Sequence, residues 1–127
     1  MNFTYKLEFY QTSRTPCIHV FDADNPHELF GKLSLFSPLA PSLQDNEFVV
    51  KNYSENQSWY AEALNRNYFY YTGKQAYLLY NTCPVYRVTP LFIKKQFEAT
   101  YNPRTDIYEC NDILFKLHEK YCEGKQV

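Results

Sequence analysis

Residues 47–72 read EFVVKNYSENQSWYAEALNRNYFYYT, and the order of elements inside them decides the fold. EFVVK is a short apolar run of strand length. Ser54 stands three residues before Gln57, the spacing of a capping box in which each side chain satisfies a backbone N–H near the other, so a helix is expected to start there. Loss of the Ser54 hydroxyl would then cost about 1 kcal/mol. Trp59, Tyr60, Ala63 and Leu64 recur at i, i+1, i+4 and i+5, the stripe of a helix lying on a sheet, with Glu62, Asn65 and Arg66 on the water side. Residues 68–71, YFYY, return as a strand rich in residues that suit a pleated surface. Strand, helix and return strand in so short a span point to an α+β domain.

Toward the N-terminus, Phe3, Tyr5, Leu7 and Phe9 alternate with Thr4, Lys6, Glu8 and Tyr10, a period-2 strand with one apolar face. Residues 17–21 (CIHVF) are a second strand. Residues 22–26 (DADNP) are a turn, because Asp and Asn bond nearby backbone and Pro fixes φ. The two strands are expected to be antiparallel neighbours. Residues 27–36 (HELFGKLSLF) admit a helix with Asn25 as cap and Pro26 at its first position. A strand is favoured. Leu29, Gly31, Leu33 and Leu35 share one period-2 face opposite Phe30, Lys32, Ser34 and Phe36, and Gly31 would cost a helix about 1 kcal/mol. Residues 37–46 hold Pro38 and Pro41 and form a loop, which Leu39 and Leu43 make apolar enough to pack down in part.

Toward the C-terminus, residues 72–74 (TGK) read as a turn. Residues 75–80 and 85–88 are one strand broken at Cys83-Pro84 or two short ones, and Pro84, which cannot donate to a ladder, marks an edge or a bulge. Thr89 and Pro90 fit the cap and first position of a helix. Ile93, Phe97 and Tyr101 follow at i, i+4 and i+8 with Phe92 beside them, and Asn102-Pro103 ends the run. A last helix over 112–123 turns Ile113, Leu114, Leu117 and Tyr121 inward and stops at Gly124. The expected fold is α+β: an antiparallel sheet of about five strands with one helix packed on it and two C-terminal helices. Residues 1–127 make a single domain, with 1–89 as sheet-plus-helix core and 90–127 as a helical C-terminal extension.

The chain carries 13 Tyr, 10 Phe and one Trp in 127 residues. Each ring can bury about 150–250 Å², more in total than one such domain can enclose, so some tyrosines stay at the surface. They serve either to cover a sheet or to form a binding face. The net charge of −1 gives no electrostatic draw toward nucleic acid and no acidic bias of the kind a nucleic-acid mimic would show. Cys17, Cys83, Cys110 and Cys122 contain no C-x-x-C pair. The N-terminus lacks the basic start and apolar run of a secretory signal, and no apolar run approaches membrane-spanning length. A cytoplasmic protein with reduced, mostly buried thiols is expected.

Several pieces together carry a family likeness. They are Leu33-Ser34-Leu35, Phe48-Val49 with Lys51, Ser54-Glu55-Asn56, Glu62-Ala63-Leu64, Thr72-Gly73 and Pro84-Val85-Tyr86-Arg87-Val88-Thr89. With them, residues 17–89 resemble a small family of uncharacterised single-domain bacterial proteins found on mobile elements such as phages and conjugative islands. The Ser-Glu-Asn and Pro-Val-x-Arg-Val-Thr pieces are the more specific. The resemblance implies a small α+β domain in a mobile-element setting. It implies no activity of its own, and the setting suggests an antagonist of host defence.

The candidate chemistry is sparse. His118 and Cys122 stand at i, i+4, but a zinc site needs three or four ligands and Cys110 falls off the helix start. No metal or cofactor is expected. Asp22 and Asp24 open a calcium-loop pattern that lacks its turn Gly and closing Glu. Cys17 and His19 share a strand face about 7 Å apart, beyond hydrogen-bond reach. No G-x-S-x-G, Gly-rich phosphate loop or H-E-x-x-H occurs, so no catalytic residue is assigned and the chain is not expected to be an enzyme. The binding candidates are Tyr68, Tyr70, Tyr77 and Tyr80 with Arg87, and Leu39 and Leu43 from the apolar loop. The expected function is a protein-binding module with a protein partner. An edge strand over 75–80 could also pair with a second copy as a homodimer. The alternative is single-stranded nucleic acid stacked on the same tyrosines, with Arg66, Lys74 and Arg87 as the nearby cations. No membrane association is expected.

Overall fold

The computed structural model describes residues 2–36 and 43–123; Leu39 and Gly124 lie outside them. The elements run β1 (Phe3–Phe9), β2 (Pro16–Asp22), β3 (Asn25–Lys32), β4 (Ser34–Leu35), β5 (Glu47–Val50), α1 (Tyr60–Leu64), β6 (Phe69–Tyr77) and β7 (Thr82–Val88). Then follow α2 (Pro90–Glu98), β8 (Tyr101–Asn102), β9 (Ile107–Tyr108) and α3 (Asp112–His118). The fold is α+β with antiparallel pairing throughout, as the sequence pattern indicated.

The strands form two main sheets, not one, in the orders β1-β2-β3 and β4-β5-β7-β6, with β8-β9 as a separate hairpin. Residues 25–35 join the two. Leu33 donates its N–H to Ile18 on the first sheet at 3.0 Å and accepts the N–H of Lys51 after β5 at 2.9 Å. At this corner the buried Ser34 hydroxyl accepts the Ile18 N–H at 2.9 Å and bonds the Tyr10 phenol at 3.0 Å. A side chain thus completes the ladder where the strand leaves β2. Burial pushes the Tyr10 phenol well above its ordinary pKa.

The strand reading of residues 27–36 holds, but its two-faced alternation does not. The β2–β3 register slips where Val20 faces Gly31 and Phe21 faces Leu29, leaving Phe30 as an extra, bulged residue. Phe30 consequently packs on Phe3 and Trp59, each at 5.3 Å between ring centroids. A Cβ added at Gly31 would lie 2.7 Å from Trp59 Cζ2, so the Trp ring occupies the space a side chain would need.

The capping box at Ser54 does not form. Ser54 has φ of 57° and opens a single 3-10 turn, Ser54–Asn56, with no side-chain cap. The organising residue is Asn56, buried at 1% exposure, whose amide donates to the carbonyls of Lys32 at 2.6 Å and Lys51 at 3.0 Å. Two carbonyls distant from each other in sequence, one on β3 and one just after β5, outcompete a local helix start. The α1 stripe itself is as expected, with Trp59 and Ala63 buried and Tyr60 and Leu64 packed against the core.

Residues 72–74 are a bulge inside β6, not a turn between strands. Tyr71 pairs with Tyr86 and Gln75 with Pro84, so the extra residues bow out opposite Val85. Gly73 supplies the φ of 85° this needs, and the Thr72 hydroxyl donates to the Val85 carbonyl at 2.7 Å. Residues 69–88 are therefore a hairpin, with Pro84 placed beside the bulge.

Thr89 caps α2 as read, accepting the Phe92 N–H at 3.4 Å with Pro90 at the first position. The helix stops at Glu98, however, and Tyr101 goes into the β8–β9 hairpin, not onto a third helical turn. Asn111 caps α3 by accepting the Leu114 N–H at 2.8 Å, and a π turn continues it through Glu119–Glu123. Phe92, Ile93, Leu114 and Leu117 join Ile18, Val20, Phe48, Val50 and Val88 in one core, so residues 90–123 dock on the sheets. The outer face of the second sheet has a smaller buried cluster of Val49, Ala76, Cys83 and Val85.

Candidate functional site

The first sheet ends in β1 and β3 and the second in β4 and β6; β3 runs into β4 at the corner, so β1 and β6 are the terminal strands on the sides away from it. A strand edge carries unpaired backbone donors and acceptors, and proteins that do not use an edge cover it. At β1 the cover is one side chain. Gln96 on α2 accepts the Leu7 N–H at 3.0 Å and donates to the Tyr5 carbonyl at 3.1 Å, reproducing the pair of bonds a neighbouring strand would make. The Tyr5 phenol is held on the same side by the Ala63 carbonyl at 2.9 Å, and burial raises its pKa.

At β6 no such cover exists among the described residues. Near the hairpin tip the Leu78 N–H turns inward to the Asn81 carbonyl at 2.8 Å. By alternation the backbone groups of Tyr77 and Gln75 point outward. The Tyr68 carbonyl takes the Thr89 N–H on the β7 side, which likewise turns Tyr71 outward. The Phe69 N–H is used by the Arg66 carbonyl and the Lys74 N–H by the Thr72 hydroxyl within the bulge.

Side chains along this edge are the most exposed apolar ones described. Tyr77 is 73% exposed, and the tip residues Leu79 and Tyr80 are 82% and 88% exposed. Tyr70 and Tyr71 are exposed on opposite faces of the same strand. On the outer face Glu47, Arg87 and Tyr70 stand in one cross-strand row. The Arg87 guanidinium lies 4.5 Å from the Tyr70 ring centroid and makes no ion pair with a described carboxylate. The bulge aims Lys74 across β7 at the buried Glu47, with the ammonium 2.6 Å from Oε1, and Glu47 Oε1 also accepts the Gln44 N–H at 2.8 Å.

The sequence-derived candidates therefore separate. Tyr70, Tyr77, Tyr80 and Arg87 come together on the β6 hairpin. Tyr68 does not join them: its ring is half-buried against Phe92 at 5.1 Å and Tyr5 at 5.8 Å and belongs to the core. Leu43 is also half-buried and packs on the outer-face cluster. Leu79 was missed, although an apolar Leu-Leu pair between two tyrosines at a hairpin tip is a readable signal. Gln96 gave no signal, because its two partners lie about ninety positions upstream.

Cys83, Cys122 and His118 are engaged in packing and local hydrogen bonds. Cys83 is buried and donates to Asn52 Oδ1 at 3.4 Å, and burial pushes its thiol pKa up, away from the thiolate a nucleophile needs. The Cys122 thiol donates to the Pro90 carbonyl at 3.5 Å. The His118 ring stacks on Phe97 at 3.9 Å, and its Nδ1 lies 3.6 Å from the Glu123 carboxylate. Among the described residues no three His, Cys, Asp or Glu side chains converge as metal ligands. No helix among the described residues is long and apolar enough to cross a membrane. No protein-family model, curated protein or solved structure matches the chain.

Proposed function

We propose that this chain is a non-catalytic protein-binding module whose contact surface is the outer edge of β6 and the Leu79-Tyr80 tip of its hairpin. The observation that carries the reading is the inequality of the two edges: β1 is closed by Gln96, whereas β6 offers outward backbone groups beside Tyr77, Leu79 and Tyr80. A partner segment laid along β6 would gain main-chain hydrogen bonds from the edge and apolar contact from the tip. Tyrosine supplies rigid contact area with a polar end, which suits an interface that is wet when free. The likeness to mobile-element proteins adds a setting in which the partner is a host protein, and antagonism of host defence is the role that setting favours.

The test is affinity capture from bacterial lysate with the wild type and with Tyr77→Pro, which removes an outward N–H and no ladder bond. A tip variant, Leu79→Ser with Tyr80→Ser, repeats the comparison without touching the backbone. A host protein held by the wild type and lost by both folded variants supports the reading. Equal capture by all three overturns it. Retention of single-stranded DNA or RNA that collapses with added salt would instead favour nucleic-acid stacking on the same tyrosines.

A further inference from the structure

Resting on the β6 reading, we infer that the partner segment pairs with β6 as an extended strand and places a carboxylate opposite Tyr70. Tyr70 faces Arg87 across β6 and β7, and Tyr71 presents its backbone outward. A strand added to this edge would exchange hydrogen bonds at Tyr71 and set a side chain directly opposite Tyr70, in the closer type of cross-strand pair. That side chain lands on the face where Arg87 already reaches over the Tyr70 ring at 4.5 Å. Arg87 has Glu47 as its other cross-strand neighbour, but the Glu47 carboxylate is taken by Lys74. A carboxylate from the added strand would complete the pairing of Arg87, with the Tyr70 ring shielding the contact from water.

Charge also separates a foreign strand from a second copy of this chain. The sequence of β6, FYYTGKQAY, contains one cation and no carboxylate. Antiparallel pairing of β6 with itself would leave both Arg87 residues without a carboxylate, since β6 has none to offer and Glu47 is taken by Lys74. An acidic segment from another protein meets the requirement that self-pairing does not.

The test is selection of a random twelve-residue peptide library displayed on phage against the wild type, Arg87→Gln, Arg87→Glu and Tyr77→Pro. The wild type is expected to enrich peptides with Asp or Glu at one fixed position between alternating β-formers. Arg87→Gln should weaken these peptides about tenfold, the effect of one charge-assisted contact. Arg87→Glu should enrich Lys or Arg at the same position. Peptides lost on Tyr77→Pro yet indifferent to Arg87→Gln would overturn the carboxylate inference and leave the edge reading standing. Absence of enrichment, or peptides indifferent to both substitutions, would overturn the edge reading as well. A wild-type dimer in sedimentation that Tyr77→Pro dissolves would assign the edge to a second copy and contradict the acidic partner.

Discussion

Strands β1 and β6 both end a sheet and both lie beside aromatic rings, but the chain treats them in opposite ways. The rings beside β1 are turned inward: Tyr5 bonds the Ala63 carbonyl, Tyr10 bonds Ser34, and Gln96 closes the backbone between them. On β6 Phe69 is buried, but Tyr70, Tyr71 and Tyr77 are exposed, and the device this edge carries is a bulge at Thr72–Lys74 pinned by the Glu47 ion pair. A bulge twists and interrupts an edge without satisfying its outward groups. The difference teaches that tyrosine content alone does not locate a surface. A ring packed on the core, like that of Tyr68, or a phenol bonded to backbone or hydroxyl, like those of Tyr5 and Tyr10, is structural, and rings exposed along a strand edge are the ones left for binding.

The ion pair that pins the bulge gives the largest expected effect. Lys74→Met strands the Glu47 carboxylate, whose side chain is 8% exposed. A loss of about 3 kcal/mol in urea unfolding is expected, at the low end for a broken buried pair because Lys74 itself is partly wet. Glu47→Gln should cost less, since the charge left without a partner is then the Lys74 ammonium, which is partly wet. If Lys74→Met were neutral, the bulge would be held by Thr72 and Gly73 alone, and the contrast between the edges would lose half its physical basis.

Removing the cover from β1 comes next. Gln96→Ala leaves the Leu7 N–H and the Tyr5 carbonyl without their partner, for a loss of about 2 kcal/mol at roughly one per bond. The variant should also begin to self-associate in sedimentation through the newly opened edge. A fully monomeric, fully stable variant would show that β1 needs no cover.

The smallest effect is a pH dependence at the corner. Burial raises the folded-state pKa of Tyr10 above the ordinary phenol value of about 10, so the fold favours the neutral phenol. Its contribution is fully present below that ordinary value and is lost as pH climbs through the raised one. Tyr10→Phe should cost about 1 kcal/mol at neutral pH through the lost contact with Ser34, and should flatten the alkaline decline in stability.

Much of the fold was legible because its signals are local. Alternation in residues 3–9 and the Thr89-Pro90 cap depend on near neighbours and formed as read, and of the α3 stripe Leu114 and Leu117 are buried and Tyr121 is partly so, while Ile113 is outside the core. The misreadings share one cause, which is a long-range partner that overrides a local pattern. Ser54-Gln57 has the spacing of a capping box, but Asn56 ties two distant carbonyls and takes the backbone elsewhere. Phe30 belongs to the polar-side alternation until the bulge turns it onto Trp59. Residues 72–74 read as a turn, and Gly73 does take a positive φ, yet the pairing of Gln75 with Pro84 makes the segment a bulge. Of the candidate site, the excess of rings says that some tyrosines are exposed but not which: Tyr70, Tyr77 and Tyr80 are exposed, whereas Tyr68 is half-buried because α2 packs over it.

The unequal edges can be measured directly by amide hydrogen exchange in the dilute, unliganded protein. The outward N–H of Leu7, held by Gln96, should exchange at least about tenfold more slowly than those of Gln75 and Tyr77, which face solvent. Gln75 and Tyr77 amides as slow as that of Leu7 would contradict the account, because β6 would then already be closed.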